Sequence, residues 1–242
     1  LTIARASNVA GVADQLLAAD HEVSKRGTVM HQAQFKEHAQ SIEPVVYVVD
    51  DDEDMRDSLL ELFMVTKTRA SAFSNGSEFL ETADISAPGC LVVDLRMPGG
   101  TGLDLQARLS HAGSRLPVIF LTAYADVPAS VKAMKAGATD FITKPFASQD
   151  LLDAVDHAIK LDAERRVVDA ERERIEALAD TLTPREKDVM FEVVKGLMNK
   201  QVAYELGISE MTVKLHRMSL MRKMQSRSLA DLVRKTEKLK RG

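Results

Sequence analysis

Four short strand-like runs in this chain each end in a side chain able to handle a phosphoryl group. Val45-Val46-Tyr47-Val48-Val49 runs into Asp50 and Asp51, and Leu91-Val92-Val93 into Asp94. Val118-Ile119-Phe120-Leu121 ends at Thr122, and the run from Asp140 to Thr143 ends at Lys144. Clustered carboxylates repel one another and are costly to hold unless a cation joins them. Oxygen ligands of this kind suit Mg²⁺, which keeps part of its water and commonly bridges to phosphate. Lysine adds a point charge for a phosphoryl oxygen, and threonine a hydroxyl donor. The chemistry consistent with the set is a carboxylate nucleophile, Asp94, accepting a phosphoryl group. Positioning and charge neutralisation then supply most of the catalysis.

Each residue alone has an ordinary reading. Asp94 could cap the turn at Pro98-Gly99-Gly100, and Asp52, Glu53 and Asp54 suit the positive end of a helix dipole. Thr122 could be a plain strand-end hydroxyl. What favours a site is the elements that carry them. Short apolar or β-branched runs alternate with helical patterns over Met55 to Val65, Ser77 to Thr82, Leu103 to Leu109, and Pro128 to Ala136, where Gly137 stops the helix. With Ala70 to Phe73 as a further strand, this alternation predicts an α/β fold: a five-stranded parallel, doubly wound sheet. Such sheets place their sites at the carboxyl ends of the strands, where all four groups would meet.

The net charge of -4 conceals an asymmetry. From Leu182 onward there are 14 Lys and Arg against 7 Asp and Glu, so the acidity belongs to the part before it. An acidic front and a basic back predict two domains with different partners, the second suited to a polyanion. The single cysteine, Cys90, excludes an intramolecular disulfide and suits a reducing compartment. No apolar stretch approaches the ~20 residues of a membrane span, and no signal-peptide pattern opens the chain; a cytoplasmic protein with no membrane partner is expected. Residues 1–43 carry no core-forming pattern and are expected to be a disordered extension. The chain opens on Leu1 and its first methionine is Met30, which leaves a non-AUG start and a start at Met30 both open.

Gln149 to Asp180 reads as one charged helix without Gly or Pro. Leu161, Val168, Ile175 and Leu182 recur every seven residues, but Glu164 and Glu171 interrupt the seam that a coiled coil needs. A solvated spacer is expected, pairing weakly with a second copy. Beyond it, Thr183, Pro184 and Glu186 form a capping-box helix start. Asn199 to Leu206 is a short helix stopped by Gly207, and Ser209 caps a basic third helix. This is a helix-turn-helix, whose last helix enters the DNA major groove.

The motifs also carry two resemblances. Residues 45–158 resemble the receiver domain of two-component response regulators, and more specifically the FixJ-like subgroup. The resemblance rests on Val-Val-Asp50-Asp51, Asp94-Leu-Arg-Met-Pro, Phe-Leu-Thr122-Ala, Ala-Met-Lys-Ala-Gly-Ala and Asp-Phe141-Ile-Thr-Lys144-Pro-Phe. It implies a flavodoxin-like fold with Asp94 as phosphoacceptor, and Mg²⁺ held by Asp51 directly, Asp50 through water, Asp94 and the main-chain carbonyl of Arg96. It also implies Thr122 and Phe141 as a switch pair. Asp52 stands where relatives often have Glu, which conserves charge.

Residues 182–234 are similar to the LuxR/NarL-type DNA-binding domain, through Leu-Thr-Pro-Arg-Glu, Gly-Leu-Met-Asn-Lys200, Ala-Tyr-Glu-Leu-Gly-Ile-Ser and Thr212-Val-Lys214-Leu-His216-Arg217. This match places Lys214, Leu215 and Met218 at base edges, and Lys200, Thr212, Arg217, Arg222 and Lys223 at phosphates. Met218 departs from the polar or basic residue that relatives often carry. The boundaries implied are an extension over 1–43, a receiver over 44–158, a linker helix over 159–180 and a DNA-binding domain over 181–242. The function implied is a regulator phosphorylated on Asp94 by a sensor histidine kinase, which homodimerises and so frees its basic domain to bind double-stranded promoter DNA, with RNA polymerase as a further partner. The targets implied include nodulation or nitrogen fixation and, equally, catabolic and respiratory genes. Hydrolysis of phosphoesters through an aspartyl intermediate would call for a second carboxylate just after Asp94, and Leu95, Arg96 and Met97 offer none, so no enzyme is expected.

Overall fold

The computed structural model describes residues 43–123 and 127–240. Apart from Glu43, the N-terminal extension and its alternative starts lie outside them. Five parallel strands form the sheet: β1 (Val45–Val49), β2 (Ala70–Phe73), β3 (Gly89–Asp94), β6 (Val118–Thr122) and β7 (Asp140–Thr143). Their order is β2-β1-β3-β6-β7. The order reverses between β1 and β3, and that switch point opens the crevice where doubly wound sheets bind ligands. Asp50 follows β1 and Asp94 ends β3, so the two carboxylates flank this crevice.

The helices cover both faces because the strands bury both sides, as their near-continuous apolar sequences require. Tyr47, Val49, Leu91, Val93 and Phe120 pack against α2 (Gly76–Thr82), α3 (Gly102–His111) and α4 (Val127–Lys135), which contribute Phe79, Leu105, Leu109 and Ala133. Val46, Val48, Val92, Ile119 and Leu121 face the opposite way, onto Leu59 and Phe63 of α1 (Glu53–Val65) and Leu151, Val155 and Ala158 of α5 (Ser148–Asp180). Cys90 lies among them, its thiol pushed up to about 12 by burial and by the nearby Asp162 charge, so it is an inert core residue. A short antiparallel ribbon, β4 (Arg96–Met97) with β5 (Gly100–Thr101), follows Asp94 where only a turn was expected.

Helix α5 (Ser148–Asp180) is one element of 33 residues, about 50 Å long at 1.5 Å per residue. Its first turns belong to the sheet's core. Its last turns join a second core, where Ile175 meets Leu182, Val189, Val202, Val213, Leu220 and Leu232. That core is shared by α6 (Pro184–Val194), α7 (Asn199–Leu206), α8 (Glu210–Lys223) and α9 (Leu229–Lys240). Thr183 and Glu186 form a reciprocal capping box at α6, Gly207 closes α7 in the left-handed conformation, and Ser209 caps α8.

The middle of α5 differs from the solvated spacer expected. Asp162 is 3% exposed and accepts the Gly89 main-chain N–H. Arg166 pairs with Asp162 and donates to the carbonyls of Ser86 and Ala87, while Arg115 forks onto Asp169. The heptad is split: Ile175 and Leu182 are committed to the second core, whereas Val168 stays 67% exposed.

Candidate functional site

Lys144 Nζ lies 2.7 Å from Asp50 Oδ2 and 2.9 Å from Asp94 Oδ1. Three strand ends are thereby drawn into one charged cluster at the sheet's carboxyl edge. The Lys144 main-chain N–H also donates to the Thr122 carbonyl at 2.6 Å, which fixes the lysine relative to the neighbouring strand end. Asp94 Oδ2 accepts the Arg96 N–H at 2.7 Å, a turn that holds the carboxylate against the start of the ribbon. The Asp94 side chain keeps 10% exposure, so it is recessed yet reachable.

Burial raises the Asp50 carboxyl above its usual range, against the hydrogen bond and charge of Lys144, which lower it. For Lys144, burial acts to lower the ammonium, but the hydrogen bonds and attraction of Asp50 and Asp94 together outweigh it and raise it. Two part-buried carboxylates thus share one cation.

Gly102 opens α3 beneath Asp94. A Cβ there would lie 2.6 Å from the Asp94 carbonyl oxygen and 2.9 Å from the Phe120 ring, so the helix can start this close to the acceptor only on glycine.

The other expected residues are placed as follows. Thr122 is 2% exposed at the end of β6. Phe141 is half-buried on β7, its ring 6.4 Å from that of Phe120. Asp51 is exposed, and among the described residues no three acidic, His or Cys side chains converge as a metal cluster. Asp52 caps α1 through the N–H groups of Asp54 and Met55. One residue escaped the sequence reading: Arg56 donates to the carbonyls of both Asp50 and Asp51 at 2.9 and 3.1 Å. A basic residue one turn into a helix that follows an acidic strand end is the signal that could have found it.

In the second domain, Lys214, Leu215, Met218 and Arg222 share the exposed face of α8, and Lys200 is exposed at the start of α7. Arg217 instead donates to Asn199, tying α8 to α7, and the Thr212 hydroxyl bonds that of Ser209 in the α8 cap. Lys223 Nζ lies 2.6 Å from Glu186, a partner with a side chain 6% exposed. The hydrogen bonds of Lys223 and Ser219 hold the Glu186 carboxyl down to about 2.

The comparisons agree with this architecture. Residues 46–156 match the response regulator receiver domain, and residues 180–236 the bacterial regulatory proteins of the luxR family. Nodulation protein W of Bradyrhizobium diazoefficiens is 46% identical over 82% of this chain and 88% of its own length. Response regulator protein TmoT of Ectopseudomonas mendocina is 42% identical over 85% and 93%. The solved structure of the response regulator StyR superposes with a TM-score of 0.73 at 45% identity, covering 81% of this chain and 99% of its own. Full-length FixJ from B. japonicum gives 0.51 at 37%, covering 82% and 98%. The chain belongs to the response-regulator family, as a receiver domain joined to a luxR-type DNA-binding domain. It is a two-component transcriptional regulator: its receiver implies a sensor kinase and its second domain DNA. Among the described residues no helix is long and apolar enough to cross a membrane.

Proposed function

We propose that Asp94 accepts a phosphoryl group from a sensor histidine kinase, and that the modified chain pairs with a second copy to bind promoter DNA. The observation that carries this is Lys144 Nζ within hydrogen-bond reach of both Asp50 and Asp94. An Asp94 oxygen attacks the donor phosphorus; the new P–O bond forms as the donor P–N bond breaks, and that electron pair leaves with the kinase imidazole. Lys144 is placed to offset the charge carried by the incoming phosphoryl oxygens.

The residues fit Mg²⁺: the available donors are all oxygen, and two part-buried carboxylates against one lysine leave the site net negative. Asp50, Asp51, Asp94 and the Arg96 carbonyl are the groups that would hold it. When bound, it neutralises charge on the transferring group.

Thr122 and Phe141 then act as the switch. Phe141 sits beside Phe120, its register partner, so its ring can respond to a change at Thr122, two residues further along β6. Val131 and Met134, exposed at 47% and 49% on α4, offer apolar surface for pairing next to β7. The DNA-facing side of α8 is already open, with Met218 69% exposed. Control therefore acts by bringing two such faces together, rather than by freeing a covered one. Two-fold pairing suits symmetric half-sites, and RNA polymerase is the partner such a bound dimer would engage.

Intact mass after treatment with acetyl phosphate and Mg²⁺ tests the chemistry. Wild type is expected to gain one phosphoryl group and Asp94→Asn none; equal gain in both would move the acceptor elsewhere.

A further inference from the structure

Helix α8 presents an unusual face for a helix that meets a polyanion. Met211, Leu215 and Met218 are exposed at 66%, 55% and 69%, and they fall on one side at helical spacing. The charged side chains of that side are Lys214 and Arg222, with Lys214 lying 3.5 Å from Glu210. An apolar stripe in water is costly unless something covers it. Its surroundings say what does: Lys214 and Arg222 lie on the same exposed face, in a domain with an excess of basic residues. Charge complementarity selects a nucleic-acid duplex over an apolar protein surface.

Within the major groove, the apolar group available to such side chains is the C5-methyl of thymine. We infer that Met211, Leu215 and Met218 read thymine methyls, making them the specificity-determining residues of α8, with Lys214 suited to guanine O6 and N7 beside them. Met211 to Met218 spans about 10 Å of helix, about three base-pair steps. The recognised element is therefore a short thymine-containing run with a guanine at or next to it. Methionine is flexible and polarisable, so the two methionines accept a methyl at more than one offset. This inference rests on the reading that α8 enters the major groove.

The test uses the full chain treated with acetyl phosphate and Mg²⁺. Bound duplexes are selected from a random pool, and each thymine of the selected half-site is replaced singly by deoxyuridine, which removes only the methyl. One or two replacements are expected to weaken binding about fourfold each, the worth of one buried carbon. Met218→Ala is expected to abolish the penalty at one position, and Met211→Ala or Leu215→Ala at another, with the salt dependence of binding unchanged. Met218→Leu is expected to keep it. Penalties below twofold at every position, or penalties that persist in all three alanine variants, would overturn the inference while leaving DNA binding intact. Failure to bind any duplex would overturn the major-groove reading, and the inference with it.

Discussion

Asp162 and Gly89, 73 positions apart, are joined by a hydrogen bond of 3.1 Å from the Gly89 N–H to the Asp162 carboxylate. Gly89 has φ +150°, and a Cβ there would fall 1.9 Å from the Val45 carbonyl oxygen, so the strand can enter the sheet at this point only as glycine. Asp162 thereby fixes the long helix to the end of the sheet opposite Asp94. Arg166 completes the clamp on the Ser86 and Ala87 carbonyls.

Arg166→Ala removes the partner of a buried carboxylate and is expected to cost about 2–3 kcal/mol, seen as a lower thermal midpoint. Hydrogen exchange at Gly89 should accelerate in Asp162→Ala. Unchanged exchange there would show that the helix is not held by this contact.

Asp50 and Lys144 are predicted to respond with opposite sign. The raised Asp50 pKa means that its contribution to stability is present below the ordinary carboxylate range and lost as pH rises through the raised value. At neutral pH the charge is therefore a burden on the fold. Asp50→Asn should stabilise the protein by about 0.5–2 kcal/mol while impairing phosphoryl uptake. Lys144→Ala leaves two part-buried carboxylates facing each other and should cost about 2–4 kcal/mol. Thermal unfolding of both variants at pH 7 distinguishes them, and a loss of stability in Asp50→Asn would count against this account.

Gly102→Ala pushes a methyl against the Asp94 carbonyl. It is expected to destabilise by about 1–3 kcal/mol and to slow uptake from acetyl phosphate, read by intact mass over time. A variant with wild-type kinetics would show that the start of α3 does not position the acceptor.

Glu186 contributes to the acid sensitivity of the second domain. Its carboxyl is held well below the ordinary value, so its contribution is present above about pH 4.5 and is lost as pH falls toward about 2. Glu186→Gln should remove about 2 kcal/mol at neutral pH and flatten that acid dependence, measured by helical circular dichroism from pH 7 to 2.

Much of this was legible from residue order. Strand ends announce themselves because an apolar run buried on both faces must stop where a carboxylate begins, as at Val49-Asp50 and Val93-Asp94. Helix starts were readable where capping is local, as at Thr183 and Glu186. The contacts that were not legible link distant residues. Nothing near Asp162 marks it as buried, because its partner Gly89 precedes it by 73 positions. Lys223 looks like any lysine of a basic helix until α6 brings Glu186 within 2.6 Å. Arg56, by contrast, contacts Asp50 and Asp51 only a turn away, and its place one turn into the helix was readable.

The central claim, that phosphorylation of Asp94 controls pairing on DNA, is tested most directly by one titration. Duplexes with one half-site and with two are bound by wild type and by Asp94→Asn, with and without acetyl phosphate and Mg²⁺. Phosphodonor is predicted to tighten wild-type binding to the paired site at least about tenfold, about 1.4 kcal/mol of coupling. It should leave the single half-site unchanged and have no effect on Asp94→Asn. Equal affinity with and without phosphodonor in wild type, or the same gain in Asp94→Asn, would contradict the account.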